Sequence, residues 1–339
     1  GAGAPARARD LSSAAGVLSG PATPRFEGME SFKGEMYHTG DWPHEGVDFT
    51  GKRVGVIGTG SSGIQSIPLI AEEADQVTVF QRTATFTVPA ANRPITENER
   101  KATKRSYAQL RAQARRSQTG VLLDQPVGAY GQVEERIVRG ELERRWRGTG
   151  FGTTSVLSDN LRSIEANNYT SQFVRDKINE IVDDPAVAKM LEPHDYPIGT
   201  KRLPIDTNYY DTFNRDHVSL VSIRDTPIER FSPAGIVVDG REHEFDAIVL
   251  ATGFDASTGA LDRIHIEGID GQTLKDAWAE GAKSYLGLAT PGFPNFFTVT
   301  GPGSPAILTN VIGSIEHHVE WIADYLAYMR DEGITRTEA

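Results

Sequence analysis

From Arg53 onward the chain alternates between short apolar runs and amphipathic stretches. RVGVIG (53–58) reads as a buried strand, SGIQSIPLIAEEA (62–74) as a helix with one apolar face, and QVTVFQR (76–82) as a second strand. Strand, helix and strand in that order predict a βαβ unit and hence a parallel sheet. Between 96 and 195 the period becomes helical and the composition charged. TENERKATKRSYAQLRAQARR opens with Thr96 and Glu99 at capping-box spacing, and QVEERIVRGELERRW and SQFVRDKINEIV follow. Strand signals return in HVSLVSI (217–223), GIVVDG (235–240) and EFDAIVLATGF (244–254). PAILTNVIGSIEHHVEWIADYLAYM then reads as an amphipathic helix, with Ile315, Val319, Ile322 and Leu326 on the face expected to be core. In the first 30 residues, rich in Ala, Gly, Ser and Pro, only AAGVLS suggests a strand end.

Composition narrows the function classes. The 339 residues, 38% hydrophobic and 24% charged, leave room for two domains. A net charge of −11 argues against bulk attraction to nucleic acid or an anionic membrane. The basic residues from Arg100 to Arg116 lie among acids and without an aromatic platform, as on a solvated helix face. Cysteine is absent, so disulfides, thiolate metal sites and cysteine nucleophiles are excluded and any redox chemistry belongs to a cofactor. No apolar run approaches the ~18 residues of a membrane span, and no leader-like segment precedes the first strand, so a soluble, cytoplasmic protein is expected. His38, Asp41 and His44 match no metal-ligand spacing, and no metal site is expected.

The turn between the first strand and helix carries G-x-G-x-x-G at Gly58, Gly60 and Gly63, in the strand-to-helix context that motif requires. Gly58 suits the tight turn, Gly60 the approach of backbone to a pyrophosphate, and Gly63 close helix packing, while the helix start supplies N–H groups and positive potential. Ser61 and Ser62 add hydroxyl donors. At the end of the second strand an acid would select the ribose hydroxyl of NAD. The chain instead reads VFQRT: Gln81 stands near the acid's place, and Arg82 with Thr83 offers a fork and a hydroxyl to a 2′-phosphate. NADP is therefore the expected nucleotide.

FKGEMYHTGDWP (32–43) would be a loop by composition. It fits F-x-G-x-x-x-H-T-x-x-W-P through Phe32, Gly34, His38, Thr39, Trp42 and Pro43, and so resembles the fingerprint of the Baeyer-Villiger monooxygenases, which in that family directly precedes a G-x-G-x-x-G. The resemblance continues through GTGSSGIQ, VFQRT, DYPIGTKR, ATGFDASTGAL and GPGSPAILTN, from about residue 15 to the end of the chain. It implies an α/β fold with two dinucleotide-binding (Rossmann-like) domains, an α-helical insertion and an incomplete FAD domain. The expected boundaries are 1–48 for an FAD-domain remnant and the fingerprint linker, 49–95 and 196–250 for the NADP domain, 96–195 for the insertion, and 251–339 for the rest of the FAD domain. The turn at Gly58 is then the second of the family's two, and both chain ends are expected to be truncated.

The same resemblance implies FAD and NADP as cofactors and a ketone and O2 as small-molecule partners, with oxygen inserted beside the carbonyl to give an ester or lactone. Lys201 and Arg202 alone would read as a solvated pair. By resemblance Lys201 joins Arg82 and Thr83 at the 2′-phosphate, while Arg202 is the active-site arginine that stabilises a flavin peroxide, a task suited to a permanently charged guanidinium. His38 is placed in the catalytic set. Thr59 and Gln65 in GTGSSGIQ, and Ala251, Thr252 and Gly253 in ATGF, are placed at the cofactors. Ser304 is expected to cap a helix that has Pro305 at its first position, turning positive potential toward flavin. The rivals are a catalytically incompetent NADP-binding fragment and an N- or S-oxygenating flavin monooxygenase; the Trp42-Pro43 ending and the Lys201-Arg202 pair argue against the latter. The ketone, the regioselectivity and the oligomeric state are not legible.

Overall fold

A computed structural model describes residues 7–304 and 309–339. The chain divides into two compact units. One comprises the segment ending at Pro21, Asn98–Leu122 and Phe254–Ala339; the other comprises Ala22–Glu97 and Leu123–Gly253. Among the described residues no helix is long and apolar enough to cross a membrane.

The larger unit is built on five parallel strands: β1 (Glu35–His38), β2 (Arg53–Ile57), β3 (Gln76–Gln81), β4 (Val218–Ser222) and β5 (Ala247–Leu250), in the order β1-β5-β2-β3-β4. Helix α1 (Ser61–Glu73) connects β2 to β3. Successive strand side chains point to opposite faces, so each apolar strand serves two cores. Val54, Val56, Val77, Val79 and Val249 meet Ile64, Ile67 and Ile70 of α1. On the other face Ile57, Phe80, Ile248 and Leu250 pack with Ile236 and Val238 of a three-stranded antiparallel sheet over 230–244, and with Phe245 just after it. Ile64 and Ile67 are fully buried, each contributing on the order of 2 kcal/mol. Arg53 fastens the entrance of β2 to that of β5: its backbone N–H and guanidinium both donate to Asp246, at 2.8–3.1 Å.

The helical part of this unit has its own core, in which Leu142 and Trp146 of Glu135–Arg147 meet Phe173 and Val174 of Ile164–Ile181. Arg145 is buried there, and its guanidinium makes four hydrogen bonds. Nε donates to Glu141 at 2.7 Å, Nη1 to the Gly152 carbonyl at 2.9 Å and Ser155 Oγ at 2.8 Å, and Nη2 to the Gln125 carbonyl at 2.8 Å. The Arg144 guanidinium, and Arg145 after it, hold the Glu141 carboxyl at about 2.

In the smaller unit Leu11–Ser13 pairs in parallel with Phe296–Thr298. Arg111 and Arg115 of the helix Glu97–Arg116 form ion pairs with Glu316 and Glu320 of the helix Val311–Asp331.

Several expected boundaries are displaced. The fingerprint strand Glu35–His38 hydrogen-bonds to Ala247–Leu250, so residues 22–48 group with the five-stranded sheet and not with the N-terminal segment. Residues 98–122, with nearly all of the helix Glu97–Arg116, leave the insertion for the smaller unit, where Arg111 and Arg115 pair with acids on the C-terminal helix; residues 123–195 stay with the sheet. The N-terminal strand is Leu11–Ser13 and not AAGVLS. On the C-terminal helix Ile322 is buried, whereas Ile315 and Val319 are 37% and 50% exposed, so the predicted core face is covered only in part.

Candidate functional site

The turn from β2 into α1 is shaped by its glycines. Gly58 has φ +109°, and a Cβ there would stand 2.5 Å from the Ala251 carbonyl oxygen. A Cβ on Gly63 would stand 2.3 Å from the Gly58 carbonyl oxygen. Both positions therefore exclude larger residues, as the sequence predicts. Gly60 differs: it caps α1 with φ −80°, and a Cβ there would meet nothing within 4 Å. No side chain caps this helix start and no acid stands in its first turn. The first-turn N–H groups lack helical acceptors, so the helix presents donors and positive potential to open space. Ser61 is exposed there and Ser62 half-buried.

Thr59, buried beside this turn, donates from Oγ1 to the Thr83 carbonyl at 3.1 Å and so ties the turn to the end of β3. Arg82 is exposed at that end. Gln81 is not: it is buried, and its amide donates to the Met190 carbonyl at 2.7 Å. Position 81 thus faces the protein and not a ribose, because β3 is buried on both faces through its last residue.

Lys201 and Arg202 are both exposed in a loop fastened at either end to the chain following Arg82-Thr83. At one end the Tyr196 hydroxyl accepts from the Phe86 N–H at 3.2 Å and donates to the Ala84 carbonyl at 3.4 Å, and the Lys201 ammonium lies 4.1 Å from the Tyr196 ring centroid. At the other end Ile205–Asp206 pairs with Val88–Pro89, and Asp206 lies 2.8 Å from Thr87 Oγ1 and accepts from the Tyr209 N–H at 2.9 Å. Burial pushes the Asp206 carboxyl up. Gln65 donates to the Ile205 carbonyl at 3.2 Å, a strut between α1 and this loop. Tyr196, Asp206 and Thr87 escaped the sequence reading. The only signal was an aromatic residue in DYP, five positions before the cation pair.

A family model described as flavin-binding monooxygenase-like matches residues 14–94. The 2-oxo-Δ3-4,5,5-trimethylcyclopentenylacetyl-CoA monooxygenase of Pseudomonas putida is 42% identical over 97% of the chain and 62% of its own length. The Baeyer-Villiger monooxygenase of Pseudooceanicola batsensis is 40% identical over 98% of the chain and 60% of its own. A solved structure of oxidized steroid monooxygenase bound to NADP superposes with TM-score 0.91 at 49% identity, covering 98% of this chain and 63% of that one. The chain is thus similar over nearly its whole length to monooxygenases, a Baeyer-Villiger monooxygenase among them. It spans about 60% of the length of the curated relatives it matches.

The Baeyer-Villiger fingerprint has a structural reading in this fold. Gly34 is required where β1 enters the sheet, since a Cβ would stand 2.5 Å from both the Asp246 carbonyl oxygen and the Phe32 ring. Trp42 packs against Tyr37 and Phe49. His38 is buried at the end of β1, with Nδ1 accepting from the Gly40 N–H at 2.9 Å. That bond leaves the proton on Nε2, which faces the Ala22 carbonyl at 3.3 Å and Thr252 Oγ1 at 3.2 Å. Both ring nitrogens are engaged within the chain, a geometry that positions the ATGF segment. Thr252 Oγ1 donates to the Ala22 carbonyl at 2.8 Å, Gly253 has φ +86°, and Ala251 forms the wall against Gly58 and Gly63. Ser304 does not cap the C-terminal helix. That helix begins at Val311, and Asn310 caps it by accepting from the Ile312 N–H at 3.2 Å, while Ser304 closes a turn onto the Gly301 carbonyl. The expected first position, Pro305, lies outside the described residues.

Proposed function

We propose that this chain is the nucleotide-handling part of an NADPH-, FAD- and O2-dependent Baeyer-Villiger monooxygenase that inserts oxygen beside a ketone carbonyl to give an ester or lactone. The larger unit is then the NADP domain with its helical insertion, and the smaller unit contributes to the FAD domain. One observation carries this reading: the β2–α1 turn is walled by two obligatory glycines, open at Gly60, and tied through Thr59 to the strand end that bears Arg82.

These residues fit a phosphorylated dinucleotide. The α1 amides would hold the pyrophosphate past Gly60, and Arg82, the Thr83 hydroxyl and Lys201 would hold the 2′-phosphate. Gln81 presents no carboxylate to repel that phosphate. When bound, FAD would supply the oxygen chemistry. The part proposed for this chain is to orient the reduced nucleotide through its phosphates and to offer the Arg202 guanidinium to negative charge that develops in the reaction. His38 acts as a positioning residue for Thr252.

Titration with NADP+ and with NAD+ by calorimetry tests the reading, followed by addition of FAD and NADPH under an absorbance spectrometer. Preferential binding of NADP+ and bleaching of retained flavin are expected. A chain that ignores both nucleotides, or prefers NAD+, overturns it.

A further inference from the structure

The Lys201 ammonium rests on an aromatic face, 4.1 Å from the Tyr196 ring centroid, and among the described residues no carboxylate lies within ion-pair distance of it. Tyr196 is itself immobilised. Its hydroxyl bridges the Phe86 N–H and the Ala84 carbonyl, and its ring meets the Phe86 ring edge-on at 5.6 Å. Ala84 is one residue beyond Thr83 and two beyond Arg82. Lys201 reaches this place from more than a hundred residues away along the chain, on a flexible four-carbon stem whose rotamer entropy opposes any fixed position. A ring face lowers that cost without a carboxylate acceptor, because it attracts the cation through its quadrupole and leaves N–H groups on the far side for another acceptor. A carboxylate in the same place would hold the lysine equally well and repel a phosphate.

We propose that Tyr196 is the positioning residue for 2′-phosphate recognition: it holds the Lys201 ammonium beside the backbone run that carries Arg82 and Thr83, and so sets the preference for a phosphorylated over an unphosphorylated adenosine. The inference rests on the NADP reading above and adds to it the residue through which the lysine acts.

The test is a double-mutant cycle on this chain, with calorimetric binding of 2′,5′-ADP and of 5′-AMP as the two probes. The unsubstituted chain is expected to favour 2′,5′-ADP. Tyr196→Leu reduces that preference by roughly twofold to fivefold, the span an exposed cation–π contact supplies. Tyr196→Phe, which keeps the ring, retains most of it, and Tyr196→Leu in a Lys201→Ala background removes nothing further. Binding of 5′-AMP monitors folding, since a damaged cradle weakens both probes together. If Tyr196→Leu discriminates as well as the unsubstituted chain, or loses as much without Lys201 as with it, the role of Tyr196 is refuted while the NADP reading stands. If the unsubstituted chain binds the two probes equally, the NADP reading falls and this inference falls with it.

Discussion

Alanine at Gly60 separates what the turn needs for folding from what it needs for binding. The backbone there, φ −80° and ψ −174°, is open to alanine, and its methyl would meet nothing within 4 Å. Alanine gains about 0.4–1 kcal/mol by restricting the unfolded chain. It loses up to roughly 1 kcal/mol because alanine is a poorer N-cap than glycine. These terms nearly cancel, so Gly60→Ala should melt within a degree or two of the parent. Bound nucleotide is another matter, because on the proposed reading a pyrophosphate approaches the backbone at Gly60 and a methyl would crowd it. Losing one charge-assisted hydrogen bond costs about 1.5–3 kcal/mol, which weakens NADP+ roughly tenfold to a hundredfold. Gly63→Ala is the contrast. Its methyl would stand 2.3 Å from the Gly58 carbonyl oxygen, and overpacking of that kind costs about 1–3 kcal/mol, or on the order of 5 °C in Tm for a unit of this size. Thermal melts and calorimetric titration with NADP+ measure both quantities. A Gly60→Ala chain that binds NADP+ with unchanged Kd would refute the assignment of the open space to a pyrophosphate, and equal melting of the two variants would refute the packing argument.

Arg82→Ala should reduce the preference for NADP+ over NAD+ by roughly tenfold or more, the worth of a hydrogen bond to a charged group, while NAD+ binding is little changed; parallel titrations check it. Acid stability should depend on Glu141, whose carboxyl sits at about 2 in the folded chain against an ordinary 4.5. Its contribution is complete above the ordinary value and disappears as pH falls toward 2, so urea melts of Glu141→Gln should show a shallower loss over that window than the parent; superimposable profiles would count against the Arg144–Glu141–Arg145 arrangement. Asp206 has the opposite sign. Burial raises its carboxyl from an ordinary 3.8, so the parent loses stability as pH climbs through the raised value, whereas Asp206→Asn, which buries no charge, does not. The gap between the two should widen from acid to neutral pH, and a constant gap would argue against a buried carboxyl at that position.

The local periods and backbone demands were written in neighbouring residues. Apolar strands at 53–57, 76–81 and 247–250, the helix of 61–73 and the roles of Gly58 and Gly63 follow from side-chain spacing and from what a methyl would strike, and the structure has each of them. Partner choice across the chain was not written there. Gln81 turns inward to a carbonyl 109 residues away, His38 closes onto Thr252, and Lys201 finds Tyr196 beside Ala84. Nearly all of the helix Glu97–Arg116 likewise leaves the insertion that its composition suggested, and Arg111 and Arg115 meet acids more than two hundred residues on. A backbone preference is decided within one turn or one strand, so the order of residues suffices. Which side chains meet depends on how distant segments close upon one another, and many closures satisfy the same pattern of apolar and polar positions until packing selects one.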